Sequence, residues 1–205
     1  MTDYLRRLVW SFIIEYGICA LPVDPLSLAR KNGWVVYTYD EFSHIIHPTA
    51  YSLLLGHEND GFCFYSRRHQ TYFICYNSQR PADVIRWTLA HEIAHIVLGH
   101  VGSDDYSETE AEGFCYRLLT PSVVLHACRY WTAAEIARAC DIPMERAEVR
   151  AQRMAHLEQH KVFGHAPEEL VIRRQFDGYI RQHSIQFLRR HMAEFGEEFA
   201  REVAA

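Results

Sequence analysis

The segment from Pro81 to Gly99 constrains the fold most, because it sets two histidines and a glutamate among the apolar residues of a predicted helix. Its apolar residues recur at the helical period, and a proline and a glycine stand at its two ends. The three residues are His91, Glu92 and His95, which form the pattern HExxH. So few positions are left for solvent that we expect a mainly buried helix, in which these side chains need partners or a metal ion.

The spacing of the two histidines suits a shared zinc ion. Residues four apart lie one turn apart on one face of a helix, so His91 and His95 can each place a ring nitrogen at about 2.0–2.1 Å from the same metal. Glu92 points partly aside, and we expect it to be the general base that activates a water bound to the metal. The alternative is a buried histidine pair that holds no metal.

A catalytic zinc site needs a third protein ligand and keeps one position open for water. His100 is the nearest candidate along the chain, but it follows His95 by five residues. In HExxHxxGxxH sites the third histidine follows the second by six residues, so that spacing fails here. We expect His100 to cap the C-terminus of the helix instead, where a donor or a positive charge is favoured.

The next helix, which we expect from about residue 107 to 119, carries three alternate glutamates. Glu108 and Glu112 are four apart and share a face, so one can bind the metal while the other orients a histidine. Their spacing alone does not decide which glutamate is the ligand. Glu110 points roughly the opposite way, and with Ser107 it fits a capping box.

Two tandem runs of sequence resemble the ImmA/IrrE family of zinc metallopeptidases. The first is RWTLAHEIAHIVLGH at the HExxH helix, and the second, some ten residues on, is ETEAEGFCYRLLTP. Near the N-terminus the run ALPVDP also resembles the entry to the family's second helix. The resemblance covers about residues 4–125 and implies a gluzincin-like site, in which a downstream glutamate completes the set of ligands.

The family's metal-binding glutamate falls on Glu108 in this sequence, so the resemblance implies zinc held by His91, His95 and Glu108. The chain departs from the family pattern at Glu112, where the family has asparagine, and at Cys115, where it has alanine. Glu112 therefore stays a rival ligand, and we favour Glu108. A His, His, Glu set suits zinc, with manganese as the other metal considered.

The resemblance also implies an activity and a setting. Members of the family are metalloendopeptidases that cleave a protein substrate at a specific site. The substrate is a transcriptional repressor, often encoded nearby in phage, mobile-element or stress-response contexts. We therefore expect a cytoplasmic enzyme whose partner is a repressor protein. The oxyanion formed during hydrolysis would need a hydrogen-bond donor besides zinc, and the candidates are Tyr72, Tyr76, Tyr116 and His126.

The order of elements predicts an α+β fold. Four short apolar or alternating runs favour a small, mostly antiparallel sheet between helices. These runs lie at residues 34–39, 50–55, 61–65 and 71–76. We expect a metallopeptidase domain over residues 1–125 and a helical region over 126–205. Strand 71–76 directly precedes the HExxH helix, where related zinc peptidases pair an edge strand with substrate.

Composition argues against several other classes of protein. A net charge of -5 gives no basis for non-specific binding to nucleic acid, and no apolar run approaches the ~20 residues of a membrane span. The six cysteines are scattered without a CxxC pair, so we expect free thiols in a reducing cytoplasm. Glu15 interrupts the apolar run that follows Arg6 and Arg7, which favours a first helix over a secretory signal.

Two alternatives to the enzyme remain. Residues 132–154 predict two helices that faintly resemble a DNA-binding helix-turn-helix, the first beginning with a capping box of Thr132 and Glu135. The second helix carries three arginines, Arg146, Arg150 and Arg153. The simpler interpretation is a helical pair that packs on the rest of the chain, its arginines matched by Glu145, Glu148 and Glu158. The other alternative is a non-catalytic module that captures a partner in a peptidase-like groove, with any metal serving structure.

Overall fold

The computed structural model of the chain describes residues 3–46, 60–102, 104–163 and 166–184, together with Met192 and Gly196. Helices dominate these ranges. One strand lies between the second and third described helices, and the other two strands lie between the third and fourth. In chain order the elements are α1 (Asp3–Glu15), α2 (Pro25–Lys31), β1 (Val35–Thr38), α3 (Tyr39–Ser43), β2 (Gly61–Ser66), β3 (Thr71–Tyr76), α4 (Ala82–Leu98), α5 (Asp105–Leu119), α6 (Ser122–Cys128), α7 (Ala133–Cys140), α8 (Met144–Gln159) and α9 (Pro167–Gln175).

The sheet has three strands, and β3 lies between β1 and β2. β2 pairs with β3 in antiparallel register, with Gly61 opposite Tyr76. β1 pairs with β3 in parallel register, with Val35 opposite Phe73. The α+β class is confirmed, while the described sheet is mixed. The parallel pair is possible because the connection from β1 to β3 is long enough for a crossover.

The strands predicted at 34–39, 61–65 and 71–76 are confirmed with small shifts at their ends. The run at 50–55 lies outside the described residues. The expectation that strand 71–76 is the edge that meets substrate is wrong, because β3 is the central strand. Period and composition identify a strand but carry no information on its neighbours, so the order of strands could not be obtained from them.

Helix α4, which carries the HExxH pattern, packs against β2 and β3 as well as along α2 and α5. Its residues Ala90, Ile93 and Ala94 are fully buried. Helix α5 contributes the fully buried side chains of Phe114 and Leu118, and α1 packs on α5 in turn. The predicted burial of the HExxH helix is therefore confirmed: Glu92 and His95 are buried and His91 is partly buried beside the hydrophobic core.

The helices after α5 pack back onto this core. Helix α7 begins with the predicted capping box, in which the Thr132 and Glu135 side chains each accept from the other's backbone N–H. Helix α9 contacts α1 and α6, and the side-chain amide of Gln175 donates to the carbonyls of Ile13 and Ile18. The division of the chain at residue 125 stays a prediction. Throughout the described part of the chain, no helix combines the length and apolar character needed to cross a bilayer.

β2 lies close to the HExxH helix at Gly61, and a Gly61→Ala substitution tests this close approach. A Cβ at this position would lie 2.5 Å from Thr88 Cγ2 and 3.1 Å from the Cys75 carbonyl oxygen. Because the Thr88 side chain and the backbone of β3 would have to shift, we expect the free energy of unfolding to fall by about 1–3 kcal/mol. Urea unfolding followed by circular dichroism measures this change.

Gly178→Ala is the matched control, since a Cβ added there meets no atom within 4 Å. Gly178 lies in a helical stretch, where alanine is favoured over glycine by up to about 1 kcal/mol. We expect this variant to be as stable as the wild type or more so. Equal stability of the Gly61→Ala variant would show that the close approach is absent.

Candidate metal centre

The ends of two successive helices bring the site residues together. Gly99 ends α4 in the left-handed conformation, with φ of 71°, and the next N–H, that of His100, donates to the His95 carbonyl. The chain then reverses into α5, which begins two residues earlier than the sequence predicted. Asp104 and Ser107 form its capping box, each accepting with its side chain from the other's backbone N–H. The box expected of Ser107 and Glu110 is therefore wrong.

Three acceptor atoms converge where α4 faces α5. The Nε2 atoms of His91 and His95 lie 3.0 Å apart, and the Glu108 carboxylate lies 2.9 Å from His91 Nε2 and 3.5 Å from His95 Nε2. Ligand atoms held at zinc–ligand distances in a tetrahedron lie about 3.3 Å from one another. The group His91, His95 and Glu108 could therefore hold a metal ion.

The charge state of the two histidines favours a cation between them. Burial lowers the pKa of His91, and burial together with the neighbouring His91 lowers the pKa of His95. Both imidazoles are therefore neutral near pH 7, which is the form that binds a metal. Two neutral imidazoles and a carboxylate offer lone pairs to the same point, so a cation satisfies them together.

Glu92 lies beside this group and is almost completely buried, with 7% of its surface exposed. Burial, and to a smaller extent the charge of Glu108, raise the pKa of its carboxyl to about 7, while a hydrogen bond from the Cys63 thiol opposes them. The carboxylate is thus a stronger base than an exposed glutamate. Sequence reasoning missed Cys63, because only the pairing of β2 beside α4 brings the thiol to Glu92.

A second set of contacts fixes His95 from behind. His95 Nδ1 lies 3.0 Å from His100 Nδ1, and His100 Nε2 lies 3.4 Å from the Glu110 carboxylate. One set of tautomers satisfies the chain: His100 Nε2–H donates to Glu110, and His95 Nδ1–H donates to His100 Nδ1. This leaves His95 Nε2 as a free acceptor facing His91. His100 caps α4 through its backbone N–H, while its side chain lies against His95 and not on the last carbonyls of the helix.

Glu112, the rival ligand, does not join the histidines. Its carboxylate accepts a hydrogen bond from the Arg146 guanidinium of α8, which also lies over the Trp87 ring at 4.9 Å. Glu108 is therefore the glutamate that the structure brings to His91 and His95. The sequence could signal this pair only weakly, since 34 positions separate Glu112 from Arg146.

The group lies in a cleft of about 650 Å³ between β2, α4 and α5. Its lining includes Gly61 and Cys63 of β2 as well as His100 and Arg146. The four residues expected to stabilise an oxyanion, Tyr72, Tyr76, Tyr116 and His126, are not among the described residues that line this cleft. Among the described residues that line it outside the metal group, Trp87, His100 and Arg146 carry ring or guanidinium N–H donors.

Two of the three arginines on which a DNA-binding role depended lie against the protein, whereas Arg153 is exposed. Arg146 pairs with Glu112, and Arg150 is buried, with a guanidinium N–H that donates to the Thr120 carbonyl. The residues 132–154 therefore form a helical pair that packs on the preceding helices. The partner of Arg146 is Glu112 of α5 rather than one of the neighbouring glutamates that the sequence suggested.

One protein family matches the chain. The model of the IrrE N-terminal-like domain, Peptidase_M78, matches residues 47–152, which is just over half of the chain. The matched range contains all of α4 and α5 and runs on into α8. No curated protein and no solved structure shows a significant match.

A His100→Ala substitution tests whether this histidine supports the metal group. We expect zinc affinity to fall by about 10–100-fold, because His95 loses the partner that orients its ring. Competition titration with a chromophoric chelator measures the affinity. His69→Ala removes an exposed histidine of the β2–β3 turn and should leave it unchanged. Unchanged affinity in both variants would mean that His100 has no part in orienting His95.

Proposed function

Since the chain belongs to the family of peptidases with an IrrE N-terminal-like domain, we propose that it is a zinc-dependent endopeptidase with a protein substrate. We assign the metal to His91, His95 and Glu108 and the role of general base to Glu92. This proposal depends on one observation. One carboxylate and two neutral imidazoles converge beside a buried glutamate, and their three ligand atoms lie within 4.8 Å of one another.

The donor set supports zinc over harder cations. Two imidazole nitrogens and one carboxylate oxygen suit zinc, whereas magnesium and calcium take oxygen ligands almost exclusively. A set of three protein ligands also leaves a position for water or substrate, as catalytic zinc sites do. When bound, the ion supplies Lewis-acid chemistry: it makes water more acidic and polarises the carbonyl of the scissile bond.

The chain's own residues perform the remaining tasks. Glu92 accepts the proton of the attacking water. Burial raises the pKa of its carboxyl to about 7, which suits proton transfer at neutral pH. The same carboxyl then returns a proton to the leaving amine. His100 and Glu110 hold the ring of His95 in the tautomer that binds a metal. Arg146 is the cationic donor in the cleft that can meet the developing negative charge on the carbonyl oxygen.

An extended peptide fits the edge of the sheet beside the site. β2 is an edge strand among the strands described, and its first residues, Gly61 to Cys63, line the cleft. Peptide groups on such an edge can pair with the backbone of a substrate. We propose that a protein segment binds along β2 with its scissile bond at the metal. The resemblance to the ImmA/IrrE family favours a transcriptional repressor as that protein.

The assignment of the third ligand is tested by comparing Glu108→Gln with Glu112→Gln. Loss of a ligand should lower zinc affinity by at least about 100-fold in the first variant. The second variant changes only the partner of Arg146, and we expect its affinity to stay within about tenfold of the wild type. Chelator competition measures both. The reverse order of affinities would make Glu112 the ligand.

The peptidase activity is tested with Glu92→Gln in the cell. Labelling of protein N-termini before and after expression identifies new cleavage sites in any protein of the host. We expect cleavage by the wild type and a rate about 10²–10⁴-fold lower in the variant, with zinc content unchanged, because the general base is lost.

Glu148→Gln is the control, since it makes the same change at an exposed glutamate of α8. It should cleave as the wild type does. New N-termini in a repressor would support the proposed substrate. If the Glu92→Gln variant retained every partner-dependent effect of the wild type, the chain would act as a non-catalytic binding module and the enzyme proposal would fail.

A further inference from the structure

A second cavity, of about 550 Å³, lies between α1, α5 and α8. It is distinct from the metal cleft, and no described residue lines both. The Glu112–Arg146 ion pair stands at the boundary, because Glu112 lines this cavity and Arg146 lines the cleft. Four guanidinium groups line the cavity, those of Arg6, Arg117, Arg150 and Arg153. We call it the arginine cavity.

Arg150 is the deepest of the four, with 6% of its surface exposed. One of its terminal nitrogens donates to the Thr120 carbonyl, but its Nε is buried and has no hydrogen-bond partner in the structure described. The Nε of Arg6 is also buried and without a hydrogen-bond partner among the described residues. A buried donor on a charged group is costly when unpaired, so both atoms call for an acceptor.

Positive charges outnumber negative charges around the cavity. Burial and the repulsion of Arg117 and Arg153 lower the pKa of Arg150 to about 10. Burial and the same kind of repulsion, from Arg153 and Arg6, lower the pKa of Arg117. Two carboxylates line the cavity: that of Glu112 is paired with Arg146, and that of Glu169 is buried. Arg6 also pairs with Asp3, which lies outside the lining. The four guanidinium groups still outnumber the carboxylates around them. Such a cluster gains most from an anion that enters between the guanidinium groups.

The rest of the lining is apolar and aromatic. The Arg6 guanidinium lies over the Trp10 ring, with its Cζ 4.9 Å from the ring centroid. Tyr116 and Phe163 line other parts of the cavity. A purely inorganic anion would leave these surfaces without a partner. The volume is in the range of pockets that enclose a small organic ligand.

We propose that the arginine cavity is a binding site for a small phosphorylated molecule with an aromatic portion, of the size of a mononucleotide. The guanidinium groups bind the phosphate, because their paired N–H donors match its oxygens. The aromatic portion packs against the apolar lining. The site is separate from the proposed peptidase chemistry and does not depend on it.

Isothermal titration of the full-length, zinc-loaded protein with adenosine monophosphate, and with inorganic phosphate, tests the proposal. We expect saturable binding of the nucleotide with a Kd below about 1 mM. Inorganic phosphate should bind at least about tenfold more weakly and compete with it, because it lacks the aromatic portion.

Arg153→Ala is the informative variant. Because Arg153 is exposed, we expect its removal to leave folding unchanged, whereas loss of the buried Arg150 also breaks its contact with Thr120. We expect nucleotide affinity to fall about tenfold in Arg153→Ala. Arg173→Ala removes the same charge at an exposed site away from the cavity and should stay within about twofold.

Each other outcome overturns the proposal. Absence of saturable binding of both probes would show that the cavity does not take this class of ligand. An affinity unchanged in Arg153→Ala would place the bound phosphate elsewhere, for instance at the metal. An equal loss in Arg153→Ala and Arg173→Ala would reduce the binding to the general charge of the surface.

Discussion

Burial of the polar side chains of α4 is the constraint on which the rest of the structure depends. A helix with Ala90, Ile93 and Ala94 in the core must be covered by the sheet and by α5, yet the same helix carries two histidines and a glutamate. These groups cannot be left dry and unpaired. In this fold the three side chains line a cleft between β2 and α5, and Glu108 lies opposite the histidines. Gly61 lets β2 lie close to Thr88 of α4, because a Cβ at this position would lie 2.5 Å from Thr88 Cγ2.

Features set by neighbours in the chain could be predicted from the sequence. The HExxH spacing places His91 and His95 on one face, and Gly99 ends the helix, because both follow from helical geometry. The start of α5 was missed by two residues, since Asp104 competes with Ser107 as the cap and local pattern alone does not rank them.

Features set across the fold could not be predicted in the same way. The order of the strands, and the approach of Cys63 to Glu92, depend on pairings that leave no local signal. The choice of Glu108 over Glu112 came from resemblance to a family, because the two share a helix face. What separates them physically is Arg146, a residue of α8 that neither periodicity nor capping relates to α5.

The two cavities carry opposite charges because α5 contributes different residues to each of them. Glu108 of α5 faces the cleft, where Glu92 adds a second carboxylate that favours a cation, while the carboxylate of Asp60 is paired with Arg80. One residue on, Thr109 begins a stripe that continues through Gly113 and Arg117 and lines the arginine cavity. A single helix thus separates a site suited to a cation from one suited to an anion. A net charge of -5 averages over both, so composition could reveal neither.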